Sequence, residues 1–184
     1  LSVNQVKNDK ENVELQVVTF EQFEKFVTAT GYVTDAEKYG WSFVQKDVYN
    51  FKIVEGATWR KPDGNTAPNS NELPVTQVSY NDAIAYCKWS NTRLPTYEEY
   101  WKQIEGDNRK VITNGNGPIS SSNDVNILGN VWEITATTQG DSTRLAGGSL
   151  FCSKETCHGT SVKRELYVDK QTGNIHIGFA VIRK

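Results

Sequence analysis

The chain lacks the features that mark several common classes of protein. It has no run of apolar residues long enough to cross a membrane. Its 20 basic residues are outnumbered by 22 acidic ones, and no local Lys/Arg cluster offsets the net charge of −2. Three cysteines are too few for a disulfide-built scaffold, and an odd count leaves at least one thiol free. We therefore expect no membrane span in this chain and no nucleic-acid partner.

Methionine is absent as well, and the chain begins at Leu1. We expect that a segment before Leu1 has been removed by processing or truncation, and no signal peptide is visible in what remains. The 184 residues are enough for one domain with a substantial core but not for two. The sequence therefore predicts that residues 1–184 form a single domain.

Aromatic residues are plentiful, with 5 Trp, 8 Tyr and 7 Phe. A strand is predicted at Val13–Val18, and apolar residues at helical spacing follow it as far as Gly31. Capping signatures at Ser79 and Thr96 predict the starts of two further helices. No periodicity persists across residues 33–73, so we expect irregular loops there. These patterns predict an α+β domain that is rich in loops, with short strands and two or three helices.

Two of the three cysteines lie close together. Cys152 and Cys157 are separated by four residues and follow the sequence Gly147, Gly148, Ser149, whereas Cys87 lies far upstream on a predicted helix. A close pair of thiols suits a disulfide, a metal site or a reactive centre, and spacing alone leaves all three open. Cys87 is predicted to be a small buried hydrophobic residue.

Several segments resemble, in the same order, the formylglycine-generating enzymes and the wider sulfatase-modifying-factor superfamily. The similarity extends from about Phe20 to the C-terminus. The segments are TGYVTDAEKYGWSFV, WRKPDG, LPVTQVSYNDAIAYCKW, RLPTYEEYW, NILGNVWEI, LAGGSLFC and HIGF. The resemblance implies a single domain with the formylglycine-generating-enzyme fold, a variant of the C-type-lectin-like fold.

The resemblance also implies a role for the cysteine pair. In the family, two cysteines with this spacing bind Cu(I), and soft thiolates favour that ion over harder divalent ions. By this resemblance Cys152 and Cys157 would be the copper ligands, and Ser149 and Trp132 would line the oxygen pocket. The expected activity is that of a copper-dependent oxidase that uses O2 to convert a peptidyl cysteine to formylglycine. The expected partner is a cysteine-containing peptide or protein, such as a sulfatase, and an extracytoplasmic location is favoured.

A calcium site is implied by a second set of matching positions. Asn126, Gly129, Val131 and Glu133 match a family Ca2+ site, with two side-chain oxygens and two backbone carbonyls. Such oxygen ligands on a tight loop suit a hard cation.

The sequence departs from the family pattern around the second cysteine. Thr156 precedes Cys157 where the family usually has a tyrosine, and Ala180 replaces the arginine of the usual G-F-R. These changes support an alternative function, in which the domain is a non-catalytic binding or assembly module. A structural Cys152–Cys157 disulfide would then replace the metal site.

Overall fold

The fold is described from a computed structural model covering residues 14–47, 49–104, 110–112, 127–152 and 162–184. The helices in these ranges are α1 (Phe20–Thr30), α2 (Asp35–Tyr39), α3 (Tyr80–Ser90) and α4 (Tyr97–Ile104). The strands are β1 (Leu15–Val17), β2 (Trp41–Gln45), β3 (Phe51–Glu55), β4 (Thr92–Arg93), β5 (Lys110–Ile112), β6 (Ile127–Gly129), β7 (Trp132–Gln139), β8 (Ser142–Ala146), β9 (Tyr167–Asp169) and β10 (Ile177–Arg183). Within the described residues, no helix is both long and apolar enough to cross a membrane.

The largest sheet is built around β10. Its strand order is β1-β10-β7-β8-β9, and β4 also pairs with β10. The β7–β10 pairing is parallel, and the other pairings in this sheet are antiparallel. β2 and β3 form a separate antiparallel hairpin, and β5 and β6 form a short parallel pair. The mixed α+β class predicted from the sequence is therefore confirmed.

The helices begin where the capping patterns place them. The Thr19 side chain caps α1 and that of Ser79 caps α3, each within a reciprocal capping box. At α4 the Glu99 amide donates to Thr96 Oγ1 (3.1 Å), and the Thr96 amide donates to Glu99 Oε2 (2.9 Å). These bonds satisfy backbone donors that the first turn of a helix leaves free.

Aromatic side chains form the centre of the core. The Phe23 ring has its centroid 5.2 Å from that of Trp59, 5.3 Å from Phe26, 6.0 Å from Tyr86 and 6.4 Å from Phe179. These contacts join α1 and α3 to β10, the central strand of the large sheet. The helical face on α1 is therefore a packing surface, as its spacing predicts.

The segment at residues 33–73 is more ordered than the sequence analysis expects. It contains the short helix α2, which adds a helix to those predicted, and the β2–β3 hairpin. The alternation in β2 is real, because Ser42 and Val44 are buried while Trp41, Phe43 and Gln45 are only partly buried. A half-buried strand is usually recognised by polar residues on its exposed side. Here two of the three residues on that side are aromatic, so the sequence pattern does not indicate a strand.

Gln77 joins three parts of the chain that are distant in sequence. It is fully buried, with a left-handed φ of 61°. Its Nε2 donates to the backbone oxygens of Phe43 (2.9 Å) and Pro62 (2.7 Å), and the Ser42 hydroxyl donates to its Oε1. Its own amide donates to the carbonyl of Asn174 (3.2 Å). One side chain and its backbone thus hold the hairpin to the segment before β10.

Replacing Gln77 with alanine should destabilise the fold. Gln77→Ala removes three hydrogen bonds and the volume of a fully buried side chain, and we expect a loss of about 3–5 kcal/mol in the free energy of unfolding. The measurement is urea unfolding followed by tryptophan fluorescence. Gln171→Ala is the control, because that exposed side chain accepts one exposed hydrogen bond, from Tyr39. A loss no larger than that of the control would show that the Gln77 bonds do not support the fold.

Two carboxylates are buried together where α2 meets α3. Asp82 Oδ1 accepts hydrogen bonds from the Tyr32 hydroxyl (2.9 Å) and the Asp35 amide (3.1 Å). Asp35 Oδ2 accepts one from the Ser79 hydroxyl (2.6 Å). Burial raises the pKa of Asp82 to about 6, although the hydrogen bonds from Ser79 and Tyr32 oppose this shift.

The raised pKa of Asp82 should give the protein a distinctive dependence on pH. Asp82 binds its proton more tightly in the folded chain, so its contribution favours folding below pH 3.8 and is lost as the pH rises through about 6. We compare the free energies of unfolding of the wild-type protein and Asp82→Asn at each pH. The wild-type value minus the variant value should be about 1 kcal/mol larger at pH 5 than at pH 7. Urea unfolding at both pH values measures this. A stability difference between the two proteins that does not change with pH would contradict it.

Candidate functional site

A cavity of about 430 Å³ lies between the large sheet and the β2–β3 hairpin. Its wall is mostly apolar, and its polar members come from four separate segments of the chain. The lining residues are Phe43, Gln45, Phe51, Trp132, Leu145, Ser149, Phe151, Cys152, Arg164, Leu166, Val168, Asn174 and Ile177. A concave apolar site of this size with a few convergent polar groups is typical of ligand-binding sites.

The turn after β8 places Cys152 in this wall. Gly147 and Gly148 both have a left-handed φ, at 87° and 72°. A Cβ at Gly147 would collide with the Tyr100 hydroxyl, so a larger residue does not fit there. The Cys152 amide then donates to the Ser149 carbonyl (2.9 Å), which closes the turn. The two glycines thus allow the chain to turn sharply and bring Ser149 and Cys152 to the cavity.

Cys152 is buried, and its sulfur receives a hydrogen bond. The Ser149 amide donates to Cys152 Sγ at 3.4 Å. A backbone N–H directed at sulfur favours the thiolate over the thiol whenever the cysteine is reduced. In the structure Cys152 is disulfide-bonded. Cys157, the predicted second member of the pair, lies outside the described residues.

Cys87 differs from Cys152 in both position and state. It is a free, buried cysteine of α3, and burial raises the pKa of its thiol. Its environment is part of the hydrophobic core rather than of the cavity. This confirms the prediction that Cys87 is a small buried hydrophobic residue.

Trp132 and Glu133 are neighbours at the start of β7, with only one of them at the cavity. Successive side chains of a strand point to opposite faces of the sheet. Trp132 lines the cavity, while the buried Glu133 lies near Gly147, where a Cβ would be 3.4 Å from Glu133 Oε2. Trp132 therefore shares a site with Ser149 and Cys152, as the resemblance implies.

The residues predicted to bind calcium lie apart from the cavity. Gly129, Val131 and Glu133 are on the β6–β7 turn and at the start of β7, and Asn126 lies outside the described residues. Gly129 has a φ of 99°, and its amide donates to the Gly147 carbonyl (2.8 Å). The buried Glu133 carboxylate, at the start of β7, is the kind of oxygen ligand that suits Ca2+. In the described ranges, no three His, Cys, Asp or Glu side chains cluster as a metal site, so an ion here would depend on backbone oxygens.

The β2–β3 hairpin supplies a wall that the sequence analysis did not assign to any site. Phe43 and Gln45 of β2 and Phe51 of β3 line the cavity, and the Phe43 and Phe51 ring centroids are 5.9 Å apart. Asp47 closes the hairpin by accepting hydrogen bonds from the amides of Tyr49 (2.9 Å) and Asn50 (2.8 Å). The alternation within WSFVQ is the signal that could have identified this wall.

Arg164 is the charged residue of the lining. Its backbone carbonyl accepts hydrogen bonds from the Tyr97 hydroxyl (2.9 Å) and from the Arg144 guanidinium (3.1 Å). The Arg144 guanidinium lies over the Tyr97 ring, 3.5 Å from its centroid. Tyr97 and Arg144 thus both hold the Arg164 main chain. Within the described residues, the buried Nε of its side chain has no hydrogen-bond partner. Sequence reasoning did not assign this arginine a role.

His176 supports the floor of the site. Its ring lies 4.0 Å from that of Phe151, centroid to centroid, and its carbonyl accepts a hydrogen bond from the Trp132 amide (2.7 Å). Burial lowers the pKa of His176 to about 4, although a hydrogen bond with the Gln45 backbone opposes the shift. The imidazole is therefore neutral at physiological pH, as suits a buried residue that packs on Phe151.

Comparisons with known proteins agree with this architecture. The family model described as "Sulfatase-modifying factor enzyme 1-like domain" matches residues 12–124. The formylglycine-generating enzyme of Mus musculus is 31% identical over 210 residues, covering 74% of this chain and 56% of the mouse protein. The mouse protein named "Inactive C-alpha-formylglycine-generating enzyme 2" is 32% identical over 180 residues, covering 68% of this chain and 58% of that protein. The chain thus spans little more than half the length of these relatives.

A solved structure shows the same fold. The structure of PvdO from Pseudomonas aeruginosa superimposes with a TM-score of 0.64 at 14% sequence identity, covering 94% of this chain and 80% of PvdO. At this identity the likeness concerns the fold alone. It confirms the fold class that the sequence resemblance implies.

Because the family model matches more than half of the chain, the chain belongs to the sulfatase-modifying factor enzyme 1-like family, that of the formylglycine-generating enzymes.

Proposed function

We propose that this protein is a copper-dependent oxidase that converts a cysteine of a peptide or protein substrate to formylglycine with O2. The observation that carries the proposal is the meeting of Cys152, Ser149 and Trp132 at one cavity. These residues come from two segments joined by the hydrogen bond from the Leu150 amide to the Asn130 carbonyl (3.0 Å). A sulfatase is the protein substrate that the family name suggests.

Copper would be held by the thiolates of Cys152 and Cys157. The donor chemistry fits, because soft thiolates select Cu(I) and, once Cys152 is reduced, the Ser149 amide that donates to its Sγ would stabilise the thiolate. Bound copper supplies the redox chemistry with O2 that amino-acid side chains lack. The disulfide at Cys152 must first be reduced, since only thiolates bind the metal. The state described here thus corresponds to an oxidised resting form.

The protein's own residues prepare the site for a peptide. Trp132, Leu145 and Ile177 provide an apolar surface that excludes water from the sulfur. The Ser149 hydroxyl, buried beside Cys152, offers a hydrogen-bond donor within the oxygen pocket. Asn174 and Gln45 present amides at the cavity, which suit the polar backbone of an extended peptide.

A second function has its own support. Cys152 is disulfide-bonded in the structure, and one relative of similar identity is named inactive. On this basis the domain would be a binding or assembly module, and a structural Cys152–Cys157 disulfide would hold the turn. A structural disulfide also favours an extracytoplasmic location, where oxidising conditions preserve it.

Copper binding separates the two functions. Under anaerobic, reducing conditions the protein should bind about one Cu(I) per chain, because two nearby thiolates form one soft site. Competition with a colorimetric Cu(I) chelator measures the affinity, and Cys152→Ala and Cys157→Ala should each abolish tight binding. Cys87→Ala is the matched control and should bind as the wild-type protein does. Equal binding by all four proteins, or by none, contradicts the oxidase.

Activity is tested on a copper-loaded sample. A cysteine-containing peptide incubated with this sample, O2 and a thiol reductant should yield an aldehyde, detected by mass spectrometry after trapping with a hydrazine. The peptide thiol gives two electrons and loses its sulfur as sulfide, and the thiol reductant gives the other two electrons that reduce O2 to water. Cys152→Ala should form none. Tight copper binding without aldehyde would instead support a metal-binding module.

We also propose a structural Ca2+ held by Asn126, Glu133 and the carbonyls of Gly129 and Val131. Saturating Ca2+ stabilises a folded protein by mass action, so chelation with EGTA should lower the melting temperature by about 5–10 °C. Glu133→Gln should remove most of this difference, whereas Glu98→Gln, at an exposed position of α4, should preserve it. A melting temperature unaffected by EGTA would rule out the site.

A further inference from the structure

The cavity holds a positive charge that no described acidic group balances. None of the lining residues is aspartate or glutamate, and Arg164 is the cation among them. The ion pairs within the described ranges involve Lys25, Lys38, Arg60 and Arg93, and none includes Arg164. Its Nε is buried and has no hydrogen-bond partner among the residues that the structure describes.

Arg164 is partly buried in a mostly apolar wall, so its guanidinium has lost part of its hydration. Removing a charge from water without a partner costs free energy, which is regained when an anion binds. The planar guanidinium matches a carboxylate with two parallel hydrogen bonds. The main chain of Arg164 is held by hydrogen bonds from Tyr97 and Arg144 to its carbonyl, so the side chain projects from a fixed point of the backbone.

We propose that Arg164 binds the carboxylate of a ligand whose apolar part occupies the cavity beside Cys152. Phe43, Phe51 and Leu166 provide the apolar contacts, and Asn174 provides a neutral polar group. The carboxylate belongs either to an acidic side chain of a peptide or to a free carboxylic acid. This inference rests on the proposed function only in taking the cavity as the substrate site, and it requires neither copper nor oxidation.

The test compares matched probes on the metal-free full chain. The first pair is 3-phenylpropionate and 3-phenylpropionamide, which differ in charge but hardly in shape. The second pair is a blocked tetrapeptide with glutamate as its one ionisable side chain, and its glutamine counterpart. Binding is measured by calorimetry, with nitrogen–proton NMR spectra for weak complexes. In at least one pair the acid should bind about 10- to 100-fold more tightly than the amide, and the pair with the larger ratio identifies the source of the carboxylate.

Variants assign the preference to Arg164. Arg164→Gln should reduce the ratio to about one, and Arg164→Lys should restore part of it, because lysine keeps the charge but not the bidentate geometry. Arg183→Gln removes the same charge at an exposed position at the end of β10 and should leave the ratio unchanged. Thermal melting checks that each variant is folded, and the wild-type comparison stands without any variant.

Two results would overturn the proposal. One is equal affinity for acid and amide, or no binding of any probe at millimolar concentration. The other is an acid preference that survives in folded Arg164→Gln. The probes are tested without metal, so the result does not depend on copper. A protein that fails to bind copper can still prefer the acid to the amide, and an active oxidase can lack that preference.

Discussion

The fold and its cavity depend on the buried amide of Gln77. Its side chain holds the backbone of the β2–β3 hairpin and of the loop near Pro62, and its own amide binds the carbonyl of Asn174. A Cβ at Gly173 would lie 2.8 Å from the Gln77 carbonyl oxygen, so the chain passes too closely there for any larger residue. Gln77 is fully buried and the backbone groups that it binds are partly buried, so losing these hydrogen bonds would cost free energy.

The clamp at Gln77 also determines the shape of the cavity. Phe43 and Gln45 lie on the strand that Gln77 holds, and Asn174 lies on the segment that its main chain holds. The opposite wall comes from β7 and from the turn containing Ser149 and Cys152. The hydrogen bonds of Gln77 therefore fix the distance between the two walls, although Gln77 itself does not line the cavity. A rigid frame of this kind is what a binding site needs in order to hold a ligand without reorganising.

The sequence predicted the parts of the structure that local chemistry determines. The capping patterns at Ser79 and Thr96 fix helix starts within four residues, so they are visible in the chain itself. The class of fold followed from short motifs in a familiar order. The hairpin wall and the environment of Arg164 did not follow, because they arise from contacts between segments far apart in sequence. Gln77 illustrates the limit, since nothing in its neighbours indicates that a glutamine would be fully buried.

The residues that the resemblance selected do not all lie at the cavity. Ser149, Trp132 and Cys152 were selected through resemblance, and the structure places them at one cavity. Glu133 was selected in the same way, but the alternation of β7 turns it to the other face, away from the sulfur. Trp132, which lines the cavity with Cys152, and Glu133, which we propose as a Ca2+ ligand, are thus adjacent in β7 but lie in different environments.

The position of β10 has a consequence for how the domain is made. This strand pairs with β1 near the other end of the described chain, with Leu15 opposite Ile182, and also with β4 and β7. The large sheet therefore cannot close until β10 has been synthesised, and contacts this distant in sequence form slowly. During that interval Cys87 and Cys152, both buried in the finished domain, are open to solvent. The order of synthesis thus provides an early window in which thiols can be oxidised, paired or loaded with metal before packing shields them.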